Sequence, residues 1–199
     1  MSQDINEQLV LISGESGSGK SASLQNIPNQ SRWLYLNCEA GKRLPFRNDF
    51  SAHTITDPYQ VYEAFEATSE GGPMHDKIDG IIIDTVTFLM DMFESQYVLT
   101  SNDTQKAWGQ YAQFFMGLMQ QHVASSNKSV IVLGHNKEIY DEKALIMRSR
   151  LGIKGAVGND RGAEAFFSTV VTTKKIELKD LEDADSSLLH ISQQDEMLG

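Results

Sequence analysis

The chain has 199 residues, a mass of 22.2 kDa and a net charge of −10, enough for one sizeable core and at most a short appendage. Its 40% apolar and 22% charged content, with 15 Gly and 4 Pro, excludes collagen-like, coiled-coil and wholly disordered classes. The acidic balance argues against a general nucleic-acid binder. The polar start Met1 to Glu7 does not read as a signal peptide, no apolar run approaches a membrane span, and the lone Cys38 excludes an internal disulfide and fits a reducing, cytoplasmic setting.

In chain order, Leu9-Val10-Leu11-Ile12 is a short apolar run closed by Ser-Gly and reads as a buried strand. Trp33 to Leu36 is a second strand and Ala52 to Thr56 a third. Asp57-Pro58 opens a helix with Val61, Tyr62, Ala64 and Phe65 on one side and Glu63, Glu66 and Glu70 on the other, and Gly71-Gly72-Pro73 breaks the chain after it. Ile81-Ile82-Ile83 is too apolar to face water on either side, as in a covered parallel sheet. Phe88 to Leu99 reads as helix. Asp103 reads as the N-cap of another, whose Trp108, Tyr111, Ala112, Phe115, Leu118, Met119 and His122 fall at helical spacing as core rather than as a base-stacking platform. Val130 to Gly134 is a further buried strand. Ile139 to Met147 and Thr169 to Ile176 are expected as later strands, separated by a Gly-rich run from Leu151 to Gly162. Alternating strands and helices define an α/β fold, a mostly parallel sheet flanked by helices. Charge divides the chain: Lys128 to Lys175 carries nine Lys/Arg against five acids, whereas seven acids follow from Glu177 on against a single lysine. The expected division is a core domain over 1–176 and an acidic segment over 177–199, a solvated surface and a soluble tail being the plain reading of those charges.

Gly14-Glu15-Ser16-Gly17-Ser18-Gly19-Lys20-Ser21 matches G-x-x-x-x-G-K-[ST] at every fixed position, after a strand and before a segment, Ser21 to Gln25, that can open a helix. Such a loop curls its N–H groups around phosphate, so Gly14, Glu15, Ser16, Gly17, Ser18, Gly19, Lys20, Ser21 and Ala22 are the expected nucleotide-binding residues. Lys20 can reach the β- and γ-phosphates and the Ser21 hydroxyl can join a Mg²⁺ shell. Asp84 ends the apolar strand at the sheet edge where ligands of open α/β sheets sit, and is the expected Mg²⁺ carboxylate. Glu39 follows the second strand at the same edge, where it is either the group that orients a water in line with the γ-phosphate or an exposed loop glutamate. His135 or Asn136, at the end of the Val130 strand, can sense the γ-phosphate, the plain alternative for His135 being a half-buried loop histidine.

The order of strand and P-loop, strand-Asn37-Cys38-Glu39, Ile-Ile-Ile-Asp84-Thr85 and strand-Gly-His135-Asn136 resembles the RecA-like P-loop ATPase core over about residues 7 to 176. Within it, the compact chain is similar to phage-encoded nucleotide-binding proteins of RecA fold, some of which act in single-strand annealing and DNA recombination. The resemblance implies ATP and Mg²⁺ as cofactors, ATPase activity, and Glu39 as catalytic base. It also implies a homo-oligomer in which a neighbouring subunit supplies a Lys or Arg finger. Lys174 and Lys175 match that position best, with Arg148, Arg150 and Arg161 as alternatives. The chain departs from RecA proper in having few residues before its first strand and no separate DNA-binding domain.

Other readings stay open. His135-Asn136-Lys137-Glu138-Ile139 lacks the Asp that reads guanine, so a GTPase is disfavoured. A small-molecule or nucleotide kinase would use Arg148 to Arg161 as a lid. A nucleotide-gated binding module would turn nothing over. Nucleic acid, if bound, is expected as single-stranded DNA on the basic stretch between Lys143 and Lys175, with Arg148, Arg150, Lys154 and Arg161 on its phosphates.

Overall fold

A computed structural model describes residues 8–141, 145–155, 157 and 162–176. The acidic segment 177–199, Arg161, expected as a phosphate contact, and Lys143 lie outside the described residues. Among the described residues seven strands form one sheet: β1 (Leu9–Gly14), β2 (Trp33–Asn37), β3 (Ser51–Thr54), β4 (Gly80–Asp84), β5 (Ser129–Asp141), β6 (Ile146–Leu151) and β7 (Thr169–Thr173). Six run in the order β3-β2-β4-β5-β1-β7, all parallel, and β6 pairs antiparallel with β5. The connection after β1 runs toward the β3 edge of the sheet and the connection after β4 runs back toward the β7 edge, a reversal of the kind that opens a ligand crevice at the carboxyl edge.

Strand alternation decides what each face buries. Ile81 and Ile83 point with Leu11, Leu34, Leu36, Val130 and Val132 into a core closed by three helical segments. These are α1 (Gln60–Thr68), α2 (Val86–Phe93, continued by a π turn, Glu94–Val98) and α3 (Thr104–Gly117, continued by Leu118–Val123). Ile82 points the other way, with Tyr35, Leu133, Leu24 and Phe50. Ile81, Ile82 and Ile83 are all fully buried, each contributing about 1.5–3 kcal/mol by leaving water. Asp103 caps α3 by accepting from the Lys106 N–H. Of the aromatic stripe, Tyr111, Phe115, Leu118 and Met119 are buried, and Trp108, Ala112 and His122 half-buried.

Four expectations need correction. Ile139 to Met147 is not one strand: Ile139 lies on β5 opposite Arg148 of β6, and Tyr140 opposite Met147, in an antiparallel ladder. The charged run Asp141-Glu142-Lys143 breaks the apolar alternation that a single strand would need. His135 and Asn136 consequently lie inside β5 rather than at its end. Ser21–Asn26 is a short 3₁₀ turn, not an α-helix. Lys174 and Lys175 follow β7 rather than lie on it, since the parallel register with β1 ends at Gly14↔Thr173.

Candidate functional site

Register brings the functional residues to one edge. Gly14 lies beside His135 on one flank and Thr173 on the other, and Asn37 beside Asp84. Around this edge a cavity of about 330 Å³ is lined by the phosphate loop together with Tyr35, Glu39, Lys42, Arg43, Asp84 and His135. The loop is fastened to β7: Ser18 Oγ lies 2.7 Å from Thr173 Oγ1, which donates to Ser13 O at 3.2 Å. A Cβ on Gly14 would meet Thr173 O at 2.4 Å, so only glycine allows this approach. Gly17 and Gly19 carry φ of 71° and 97°, the left-handed turns that curl the loop.

Lys20 is buried, and its ammonium donates to Gly14 O (3.0 Å), Glu15 O (2.7 Å) and His135 Nδ1 (3.2 Å). Lysine has no lone pair to offer, so His135 Nδ1 accepts and its Nε2–H donates to Glu39 Oε1 at 3.3 Å. Burial lowers the Lys20 pKa, opposed by the charges of Glu39 and Asp84. The other Glu39 oxygen accepts from Lys42 at 2.9 Å. Burial pushes the Glu39 carboxyl up, but the hydrogen bonds from Lys42 and His135 outweigh it and hold the group below its usual range. Glu39 is thus a largely buried, doubly bonded carboxylate, its side chain 10% exposed, and not a solvated loop residue.

Asp84 Oδ2 accepts from Tyr35 (2.7 Å) and Ser21 (3.1 Å), while its Oδ1 is buried without a partner. Burial raises the Asp84 pKa despite those two donors. An orphaned buried carboxylate oxygen beside a hydroxyl and a lysine fits a hard cation that takes oxygen ligands. Among the described residues no group of three or more His, Cys, Asp or Glu side chains could hold a metal alone. A cation here would complete its shell with phosphate oxygens and water, as Mg²⁺ does. Thr85, and not Asp84, is the N-cap of α2, accepting from the Phe88 N–H.

The remaining expected residues fall elsewhere. Lys175 reaches the phosphate loop of its own chain, its ammonium 3.3 Å from where a Cβ on Gly17 would stand. Asn136 is partly buried, with its Oδ1 unpartnered. Arg148 and Arg150 lie on β6, opposite Ile139 and Lys137. Lys154 is ion-paired with Glu94 and Asp91 near the end of α2. Tyr35, Lys42 and Arg43 were not anticipated. Tyr35 could have been found from alternation, since it must share the face of Ile82.

A family model described as an AAA domain matches residues 6–160. No curated protein matches the chain.

Proposed function

Because the chain belongs to the AAA domain family, within the P-loop ATPase superfamily, we propose that it binds ATP with Mg²⁺ and hydrolyses it at the carboxyl edge of β1, β2 and β4. The observation that carries this reading is the convergence of Lys20, Ser21, Asp84 and Glu39 on one cavity, with Asp84 Oδ1 buried and unpartnered. Ser21 and Asp84 would hold Mg²⁺, whose charge offsets that of the phosphates when bound. Lys20 exchanges its carbonyl partners for the β- and γ-phosphates. Glu39 accepts a hydrogen bond from a water and takes its proton as the water oxygen bonds to the γ-phosphorus. The bond from that phosphorus to the bridging oxygen breaks, and ADP carries away the electron pair. His135, freed from Lys20, donates to the γ-phosphate through Nδ1 only in the tautomer that carries the proton there, and that tautomer gives up the Nε2–H bond to Glu39 Oε1. Lys175 adds positive charge over Gly17.

The nucleotide domain is proposed to span 1–176, with 177–199 as an acidic appendage in a cytoplasmic protein. No helix among the described residues is long and apolar enough to cross a membrane. Resemblance to phage recombination proteins makes single-stranded DNA the partner to test, and a homo-oligomer the state to test. Phosphate release with and without single-stranded DNA, for wild type and Glu39→Gln, tests the whole reading. Glu39→Gln should keep nucleotide affinity and lose roughly 10²-fold or more in turnover. Unchanged turnover would remove Glu39 from the role. Transfer of phosphate to an added acceptor in place of release would favour a kinase, and tight binding without turnover a binding module.

A further inference from the structure

The loop from Glu39 to Asp49, between β2 and β3, does more than close the nucleotide cavity. On its other side lies a second cavity of about 610 Å³, over the carboxyl ends of β2 and β3. The two cavities share Tyr35, Lys42, Arg43 and Leu44 as a common wall. In a chain of net charge −10, the second cavity gathers Lys42, Arg43 and Arg47 against the single acid Asp49. Neither Arg43 nor Arg47 has an ion pair or hydrogen bond with the described residues. Two free guanidiniums on one short loop, both exposed, are positioned for bidentate contact with phosphate.

The loop is shaped before any ligand arrives. Asn37, at the end of β2, accepts from the Glu39 N–H at 2.9 Å and donates to Lys42 O at 2.8 Å. Ala40 and Gly41 are both left-handed, with φ of 52° and 78°, which reverses the chain between those bonds. Gln30 Oε1 accepts from the Asp49 N–H at 3.1 Å and holds the far end. Tyr35 stacks on Phe50 at 5.9 Å behind the loop. Half-buried Phe46 and Leu44 supply an apolar wall beside the arginines. The volume suits a small-molecule ligand or one unit of a polymer.

We propose that this cavity is a second ligand site, taking a phosphate-bearing unit of mononucleotide size alongside the nucleotide on the phosphate loop. Its phosphate lies on Arg43 and Arg47, and its ring packs against Phe46 and Leu44. The unit comes either from a free mononucleotide or from a single strand. The proposal rests on the nucleotide reading only for the identity of its neighbour.

Calorimetry on the full chain tests it in two stages. A non-hydrolysable ATP analogue with Mg²⁺ is titrated first, which checks the phosphate loop by itself. Thymidine monophosphate and, separately, a short oligothymidylate are then titrated into the saturated protein. One of the probes should bind, and Arg47→Glu should weaken that probe at least about tenfold while leaving the analogue unchanged. Binding of the mononucleotide identifies a free nucleotide as the ligand, and binding of the oligonucleotide alone identifies a strand. The proposal is overturned if neither probe binds the saturated protein, or if Arg47→Glu leaves probe binding unchanged. It is equally overturned if that variant weakens the analogue as much as the probe, because the cavity then belongs to the first nucleotide. Should the analogue itself not bind, the nucleotide reading fails, and the same probes on the free protein still decide the loop.

Discussion

Lys42 Nζ stands 2.9 Å from Glu39 Oε2, three residues along the same loop, while His135 occupies Oε1. Both oxygens of the proposed base are therefore engaged before substrate arrives. The ammonium must turn from Glu39 toward the polyphosphate before a water can take its place. Removing it should make the carboxylate more basic. Glu39 sits below its ordinary value of 4.5, with the Lys42 hydrogen bond among the causes. In Lys42→Met its pKa should rise in the free enzyme, and the acid limb of the kcat/KM–pH profile should move to higher pH. The stability Glu39 contributes above its unfolded pKa, lost as pH falls through its depressed folded value, should shrink as well. An unmoved acid limb in Lys42→Met would show that Lys42 does not control this carboxylate.

Lys20→Ala should weaken nucleotide binding by about 10- to 150-fold, the equivalent of a charge-assisted hydrogen bond of about 1.5–3 kcal/mol. The variant also frees His135 Nδ1 and removes a cation from Glu39 and Asp84. The loss of the ammonium from Nδ1 should appear as a change in the His135 ring chemical shifts, which proton NMR can follow. Wild-type affinity for the ATP analogue in this variant would exclude the phosphate loop as the site.

Gly14→Ala places a methyl 2.4 Å from Thr173 O and 2.6 Å from Ser18 Oγ. Backbone cannot yield cheaply, so β7 or the loop must shift, at the typical overpacking cost of about 1–3 kcal/mol. Denaturant melts should show that loss, and nucleotide affinity should fall with it because Ser18 and Thr173 hold the loop's shape. A variant as stable as wild type would mean that the loop's fastening to β7 is slack.

Lys154→Ala separates two accounts of the basic stretch. Lys154 pairs with Glu94 and Asp91. With its side chain half exposed, that pairing is worth at most about 1 kcal/mol. Its loss should slightly lower stability and leave single-strand binding, read by anisotropy at two salt concentrations, unchanged. Arg148→Ala with Arg150→Ala should then account for any single-strand affinity that β6 supplies. A drop in single-strand affinity for Lys154→Ala alone would return that residue to the nucleic-acid surface.

The parts of the site that were legible in the sequence are those whose chemistry demands adjacent residue types. The Gly-Lys-Ser spacing is one, because phosphate is held by consecutive N–H groups. The acid at the end of Ile81 to Ile83 is another, because an apolar run in a covered sheet has only its end free for a ligand. Lys42 and Arg43 were not legible, because two left-handed residues, Ala40 and Gly41, turn the chain back on itself and no periodicity encodes that turn. The β5–β6 ladder escapes the sequence for a related reason. From His135 onward β5 mixes polar and apolar residues without the unbroken apolar run of Val130 to Leu133, and a hairpin partner five residues away is invisible to a window that expects parallel crossovers. The approach of Lys175 to Gly17 depends on the register of β7 against β1, which is a property of the whole sheet.

Asp84→Asn bears on the tension between stability and function at this edge. Burial holds the Asp84 carboxyl above its ordinary value of 3.8. A raised pKa means that the native state binds the proton more tightly than the unfolded chain. The group's contribution to stability therefore falls as pH rises from 3.8 through the raised value, and the penalty is full above it. Asparagine can still accept from Tyr35 and Ser21 with its carbonyl oxygen, and it carries no charge to bury. Without nucleotide at neutral pH the variant should melt higher than wild type, by about 2–4 °C for each kcal/mol recovered in a chain of this size. Adding ATP analogue and Mg²⁺ should reverse the order, because ligand binding to the native state stabilises the wild type by mass action and the variant has lost the carboxylate proposed to hold the cation. Scanning fluorimetry with and without ligand, alongside Mg²⁺ titration of phosphate release, reads both effects. If Asp84→Asn melts lower without ligand and gains as much as wild type with it, Asp84 is a structural acid bonded to Tyr35 and Ser21, and the cation belongs elsewhere.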